Sequence, residues 1–168
     1  MPKRIGTGVV LTLAILLFPH LGQAQPTCAP FKGMVQWTAG PGPYHGPAYV
    51  VFDGRAFIDE DANWLEFSTE TCNAGTCSGR GGKLLLDFGN GDSLTLTVQH
   101  GTYTPAYTSF PGVGVWHSIF RVIDGTGLFL GASGAIVQEG PWVTWIDGAG
   151  FHGRFNGGFE GNVCIKPM

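Results

Sequence analysis

From Phe151 to Ile165 the chain alternates without a break. Phe151, Gly153, Phe155, Gly157, Phe159, Gly161, Val163 and Ile165 fall on one face; His152, Arg154, Asn156, Glu160 and Asn162 fall on the other, and Lys166 continues it. Apolar positions in a helix recur every three or four residues, so a period of two this long specifies an extended strand. No segment of the chain carries a helical period. Composition agrees, since 28 residues are glycine and only 12% are charged, which suits a turn-rich β protein. With 43% of its residues apolar or aromatic, the chain can bury a core and is not a disordered segment.

The same alternation places further strands. Residues 31–38 predict a first one. Tyr49–Ile58 and Trp64–Thr71 predict two more, joined by an acidic turn over residues 59–63. Asp59, Asp61, Asn63 and Glu70 fall at positions 1, 3, 5 and 12 of a calcium loop, but its sixth position, where the sharp turn requires glycine, is Trp64. The solvated turn is the better reading. Lys83–Phe88 and Asp92–His100 predict a hairpin. A three-residue loop, Gly89 to Gly91, sets Leu86 opposite Leu94 and Leu84 opposite Leu96, whereas a two-residue turn would set Leu86 opposite Thr95. Register follows the buried face, so the longer loop is expected. Gly114–Ile123 carries Trp116, Ser118, Phe120 and Val122 on one side, with Val115, His117, Ile119, Arg121 and Ile123 on the other. Ala135–Glu139 and Trp142–Asp147 follow, hinged at Gly140 and Pro141. Residues 40–47 are a proline-rich loop with Tyr44 and His45 at its tip, either a stiff connection or a cover for a cavity mouth. Residues 101–113 read as a broken edge or a loop. Eight to ten strands result, enough for a closed antiparallel barrel, which also removes exposed edges.

Between two of these strands lies a glycine cluster, Gly125, Gly127, Gly131 and Gly134, with Phe129 and Ala132 among them. Glycine in strand-like sequence marks a bulge, a tight bend or a close approach of backbones. A phosphate loop would need a following helix or a closing Lys-Ser/Thr, and neither is present. The pattern G-T-G-x-F-x-G-A-x-G resembles the motif of the allene oxide cyclase-like and dirigent-like β-barrels, over about Trp116 to Ile165. That resemblance implies an exported or plastid domain forming an eight-stranded antiparallel barrel around a small-molecule cavity. Dirigent proteins carry an acidic residue after the GTG and an arginine near the motif's end. Here Leu128 and Ser133 stand there, so radical coupling is not carried over.

The N-terminus opens with Lys3 and Arg4, continues with an uncharged apolar run over 8–18, and offers small residues at 22 and 24. This predicts a secretory signal over residues 1–24 and a single mature domain over 25–168. Nothing after it is long enough for a transmembrane helix. The mature chain keeps seven basic and twelve acidic residues, so nucleic acid is not the expected partner. Cys28, Cys72, Cys77 and Cys164 are an even set in an exported chain and read as disulfides rather than a zinc site. Gly75 lets the segment between Cys72 and Cys77 double back. Cys28 and Cys164 flank the first and last strands, which become neighbours in a closed barrel. The expected pairs are therefore Cys72–Cys77 and Cys28–Cys164.

Chemistry is less legible. The chain has no nucleophile elbow, H-E-x-x-H or Cys–His signature, and none of His45, His100, His117 and His152 is paired at metal-ligand spacing. No metal or cofactor is expected. His117 and Arg121 interrupt an apolar face, Glu139 is available as their partner, and Trp116 and Trp142 offer aromatic walls. These five are the candidate ligand-binding residues. Two functions stay open. One is a barrel that binds a small apolar molecule, with cyclase- or isomerase-type activity in reach. The other is a non-catalytic structural or interaction module of the envelope or extracellular space.

Overall fold

A computed structural model describes residues 25–40, 44–73, 76–104 and 111–167, without the side chains of 39, 65–70, 72 and 151. The signal segment expected over 1–24 lies outside the described residues. Eight strands follow one another: β1 Thr27–Ala39, β2 His45–Phe52, β3 Arg55–Asn73, β4 Thr76–Asp87, β5 Ser93–Thr104, β6 Gly112–Thr126, β7 Ser133–Asp147 and β8 Gly150–Ile165. One 3-10 turn, Gly127–Phe129, joins β6 to β7. Each strand pairs antiparallel with the next, and β8 returns to β1, closing an all-β barrel. The closing seam is continuous over thirteen register pairs, from Thr27 opposite Ile165 to Ala39 opposite Gly153.

The expected hairpin register is present. Leu86 faces Leu94 and Leu84 faces Leu96, around a loop in which Gly89, Asn90 and Gly91 all take left-handed φ (72°, 53° and 84°). The inward face of β8 is also the expected one, with Gly153, Phe155, Phe159 and Val163 buried. Other expectations need correction. Tyr49–Ile58 is not one strand: Asp53 and Gly54, both at positive φ, turn the chain between β2 and β3. Asp-Gly is a strong hairpin signal, hidden here by apolar residues on both sides. Residues 59–63 are not a turn but part of β3, beside an irregularity in its pairing with β2. Asp59 is only 5% exposed there. Its carboxylate accepts the backbone N–H of Asp61 (2.9 Å) and of Asp87 (2.7 Å). Asp61 pairs instead with His45 (2.7 Å), so these carboxylates serve separate partners rather than one cation. β7 runs unbroken through Gly140 and Pro141. β5 extends to Thr104 and β6 begins at Gly112, within the stretch expected to be loop.

Both expected cysteine pairs fit this frame. Cys28 and Cys164 are directly opposite across the seam and disulfide-bonded. Cys77 is also disulfide-bonded, and the sequence's one remaining cysteine, Cys72, is its register partner in the β3–β4 hairpin.

The glycine cluster builds the barrel's closed end. Phe129 is fully buried, its ring centroid 5.4 Å from those of Phe52 and Phe57 and 5.6 Å from that of Phe88. A side chain at Gly125 would run into the Phe129 backbone and the Ser93 carbonyl. Gly127 sits at φ 56° against Asp92, whose carboxylate accepts the Leu128 N–H at 2.7 Å. The corner thus folds one aromatic ring back under the sheet, and glycine is what leaves it room. Above this plug the closed half is apolar: Phe31, Leu84, Leu86, Leu94, Leu96, Phe120 and Ile136 are all fully buried.

Candidate functional site

The other half of the barrel has a different chemistry. It lies toward the β1–β2, β5–β6 and β7–β8 connections, and its inner wall carries Trp37, Trp64, Tyr103, Trp116 and Trp142 together with Ser118, Gln138 and Thr144. Strand alternation turns these residues inward, and glycines opposite them make space for the rings. The Trp142 indole lies over Gly153, Trp116 over Gly101, and Tyr103 over Gly114. Trp37 and Trp142 share one register row, each opposite Phe155 on the strand between them. Trp37 meets Trp64 edge to face at 6.2 Å, and Trp142 lies 6.1 Å from Phe155. Tyr44 packs at this end, its ring 5.5 Å from that of Trp142 and its carbonyl accepting the Trp64 N–H at 3.0 Å. Tyr44 is thus packed against the core at this end, while its neighbour His45 has joined β2.

Within this aromatic shell runs a short polar chain. The Trp116 Nε1–H donates to Ser118 Oγ at 2.9 Å, and the Ser118 hydroxyl donates to Gln138 Oε1 at 3.3 Å. In this orientation of the Gln138 amide its oxygen is used and its nitrogen is not. Gln138 is fully buried and its Nε2 has no hydrogen-bond partner. The same holds for the indole nitrogens of Trp37, 2% exposed, and Trp142, 6% exposed. Burial pushes the Tyr103 phenol above its ordinary range, with the Thr144 hydroxyl beside it acting in the opposite sense. An unpaired buried donor costs about 1–3 kcal/mol, so three in one half of one barrel call for an acceptor. Gln138 and Trp142 lie on the same face of β7, separated only by Gly140, which puts no side chain between them.

The five residues expected to bind ligand do not form one lining. Trp116 and Trp142 are on the inner wall. Arg121 and Glu139 are exposed on the outside, and His117 is half-buried there. His117 faces Glu139 across β6 and β7, whereas Arg121 faces Ala135. The correction has a simple cause. Adjacent residues of a strand point to opposite faces, so Trp116 and His117 cannot both line the lumen. Both faces of β6 are rich in apolar residues, and the interior takes the aromatic one. Trp37, Tyr103, Ser118, Gln138 and Thr144 were missed. A lone glutamine or serine among inward apolar residues was the available signal, and it becomes informative only once their strands are paired.

Outside the barrel, Thr71, Ser78, Gly79, Arg80, Gly81 and His100 line an open groove of about 630 Å³ where bulges interrupt the pairing of β4 with β5. Among the described residues, no group of three or more His, Cys, Asp or Glu is placed to hold a metal ion. Comparison with protein-family models, with curated proteins and with solved structures finds no match for this chain.

Proposed function

We propose that this chain is an exported β-barrel that binds a small molecule in the aromatic half beneath Tyr44. The ligand has a flat apolar body and at least one hydrogen-bond acceptor. One observation carries the reading: three buried N–H donors, from Trp37, Gln138 and Trp142, lack a partner on the same half of one inner wall. Binding sites commonly combine aromatic walls with a few placed polar groups. Indole and amide N–H groups do not ionise near neutral pH and so are not general acids or bases there, which supports binding rather than turnover. The proposal includes kinship with the allene oxide cyclase-like and dirigent-like barrels, supported by the glycine corner that seats Phe129 in an eight-stranded closed sheet. Export is supported by the Cys28–Cys164 bond, which persists in oxidising compartments. A lipid-spanning barrel would carry an outward apolar band around a polar interior. Here the core is apolar, and Lys32 and Glu160 pair on the outer face at 2.7 Å.

The alternative, a non-catalytic structural module, draws on the solid closed half. Native mass spectrometry of the chain purified from its export compartment without denaturation separates the two. Binding predicts an excess mass that organic extraction removes and that Gln138→Leu or Trp142→Phe diminishes. The mass of the bare chain would overturn it.

A further inference from the structure

We propose that the outer face of β6 and β7 docks a second copy of this chain, face to face about a two-fold axis. On this face Val113, Val115, Ile119 and Ile123 of β6 lie beside Ala135, Val137, Pro141 and Val143 of β7, all exposed. They form rows across the two strands: Val113 with Val143, Val115 with Pro141, Ile119 with Val137. The neighbouring walls differ. β5 presents Thr95, Thr97, Thr102 and Thr104, and β8 presents Arg154, Asn156, Glu160 and Asn162. The apolar stripe therefore ends at a polar border on both sides, the anatomy of an interface core and its rim.

Its extent fits a partner of this size. The eight side chains expose on the order of 500 Å², at the upper end of the largest apolar patch on an ordinary monomer. Their polar border brings it near the roughly 800 Å² per partner of a standard interface. A closed barrel offers no strand edge, so two copies associate by stacking sheets.

Charge selects the arrangement. Two polar positions interrupt the stripe: His117 opposite Glu139 crosses its middle, where the two side chains form no ion pair with each other, and Arg121 opposite Ala135 lies toward its Ile123 end. A two-fold axis running parallel to the strands, in the plane between the copies, lays β6 of each over β7 of the other. His117 then meets the partner's Glu139, twice, the three apolar rows meet apolar rows, and Arg121 falls over the small side chain at position 135 of the other copy. The perpendicular axis would instead lay β6 on β6 and His117 on its own copy. The stripe is thus complementary to itself, as an isologous interface requires.

The test is the molar mass of the full exported chain by light scattering, across a dilution series, with circular dichroism to verify folding. The native chain is expected to be a dimer that dissociates on dilution. Ile119→Lys and Val137→Lys, at exposed positions, should each raise the dissociation constant roughly 30-fold or more. Met34→Lys, on the exposed outer face of β1, should leave it unchanged. His117→Glu should weaken the dimer, and His117→Glu combined with Glu139→Lys should restore it. A monomer at every concentration would overturn the proposal. So would a dimer indifferent to Ile119→Lys and Val137→Lys, or a monomer that floats with phosphatidylcholine vesicles.

Discussion

Replacing both seam cysteines, Cys28→Ser with Cys164→Ser, should cost more stability than any contact they make. The two residues are 136 apart in sequence, and closing a loop of that length removes about 5 kcal/mol of unfolded-state entropy. The ring between Cys72 and Cys77 is so short that the same relation gives only about 2 kcal/mol. The native state should hardly notice the seam substitution. Cys28 is exposed and Cys164 half-buried, so serine hydroxyls there reach water, and thirteen backbone register pairs still join β1 to β8. The loss therefore sits in the unfolded chain, which expands. Urea unfolding should show a midpoint lowered in proportion to about 4–5 kcal/mol and a steeper denaturant slope, because more surface is exposed on unfolding. At roughly 2–4 °C per kcal/mol the melting temperature should fall by about 10–15 °C. The paired variant Cys72→Ser with Cys77→Ser should lose less than half as much. If the seam variant proves no less stable than the ring variant, the entropic account of the seam is wrong.

Phe129→Ala should cost about 3–5 kcal/mol, because a fully buried ring packed on three others leaves a cavity, while Phe129→Leu should recover most of that; thermal unfolding measures both. Asp59 gives a pH signature. Burial raises its carboxyl above the ordinary 3.8, against the hydrogen bonds from Asp87 and Asp61. Between 3.8 and the raised value the folded state holds the proton more tightly than the unfolded one, so this contribution to stability is present at low pH and is lost as pH rises through the window. The stability of the native chain relative to Asp59→Asn, measured by urea titration at several pH values, should fall as pH rises through that window. A difference flat in pH would sink the assignment.

The hairpin of β4 and β5 was legible because four leucines fit only one register, and a shift by one residue would expose them. β8 was legible because its inward glycines and phenylalanines admit no helix. The seam disulfide followed from barrel closure. The closed end was half legible: the glycines announced a corner, but nothing in them says that Phe129 turns back to plug the barrel. The Asp53–Gly54 hairpin stayed hidden inside an apolar run. The site was least legible. β6 has two apolar faces, and only closure reveals that the one with Trp116 and Phe120 is the lumen. The outer face, with Val115 and Ile119, is β-branched rather than aromatic, a difference of side-chain size that alternation does not register. Gln138 reads as an ordinary polar residue until Ser118 stands opposite it and leaves its amide nitrogen without a partner.

The central claim is that a bound molecule completes the polar groups of the barrel's aromatic half. An atomic-resolution crystal structure of the chain, purified without denaturation, tests it most directly. The account predicts density for a molecule larger than water, with acceptor atoms within about 3 Å of Trp37 Nε1, Gln138 Nε2 and Trp142 Nε1. Finding those three N–H groups bonded only to ordered waters, or to protein acceptors, would contradict it.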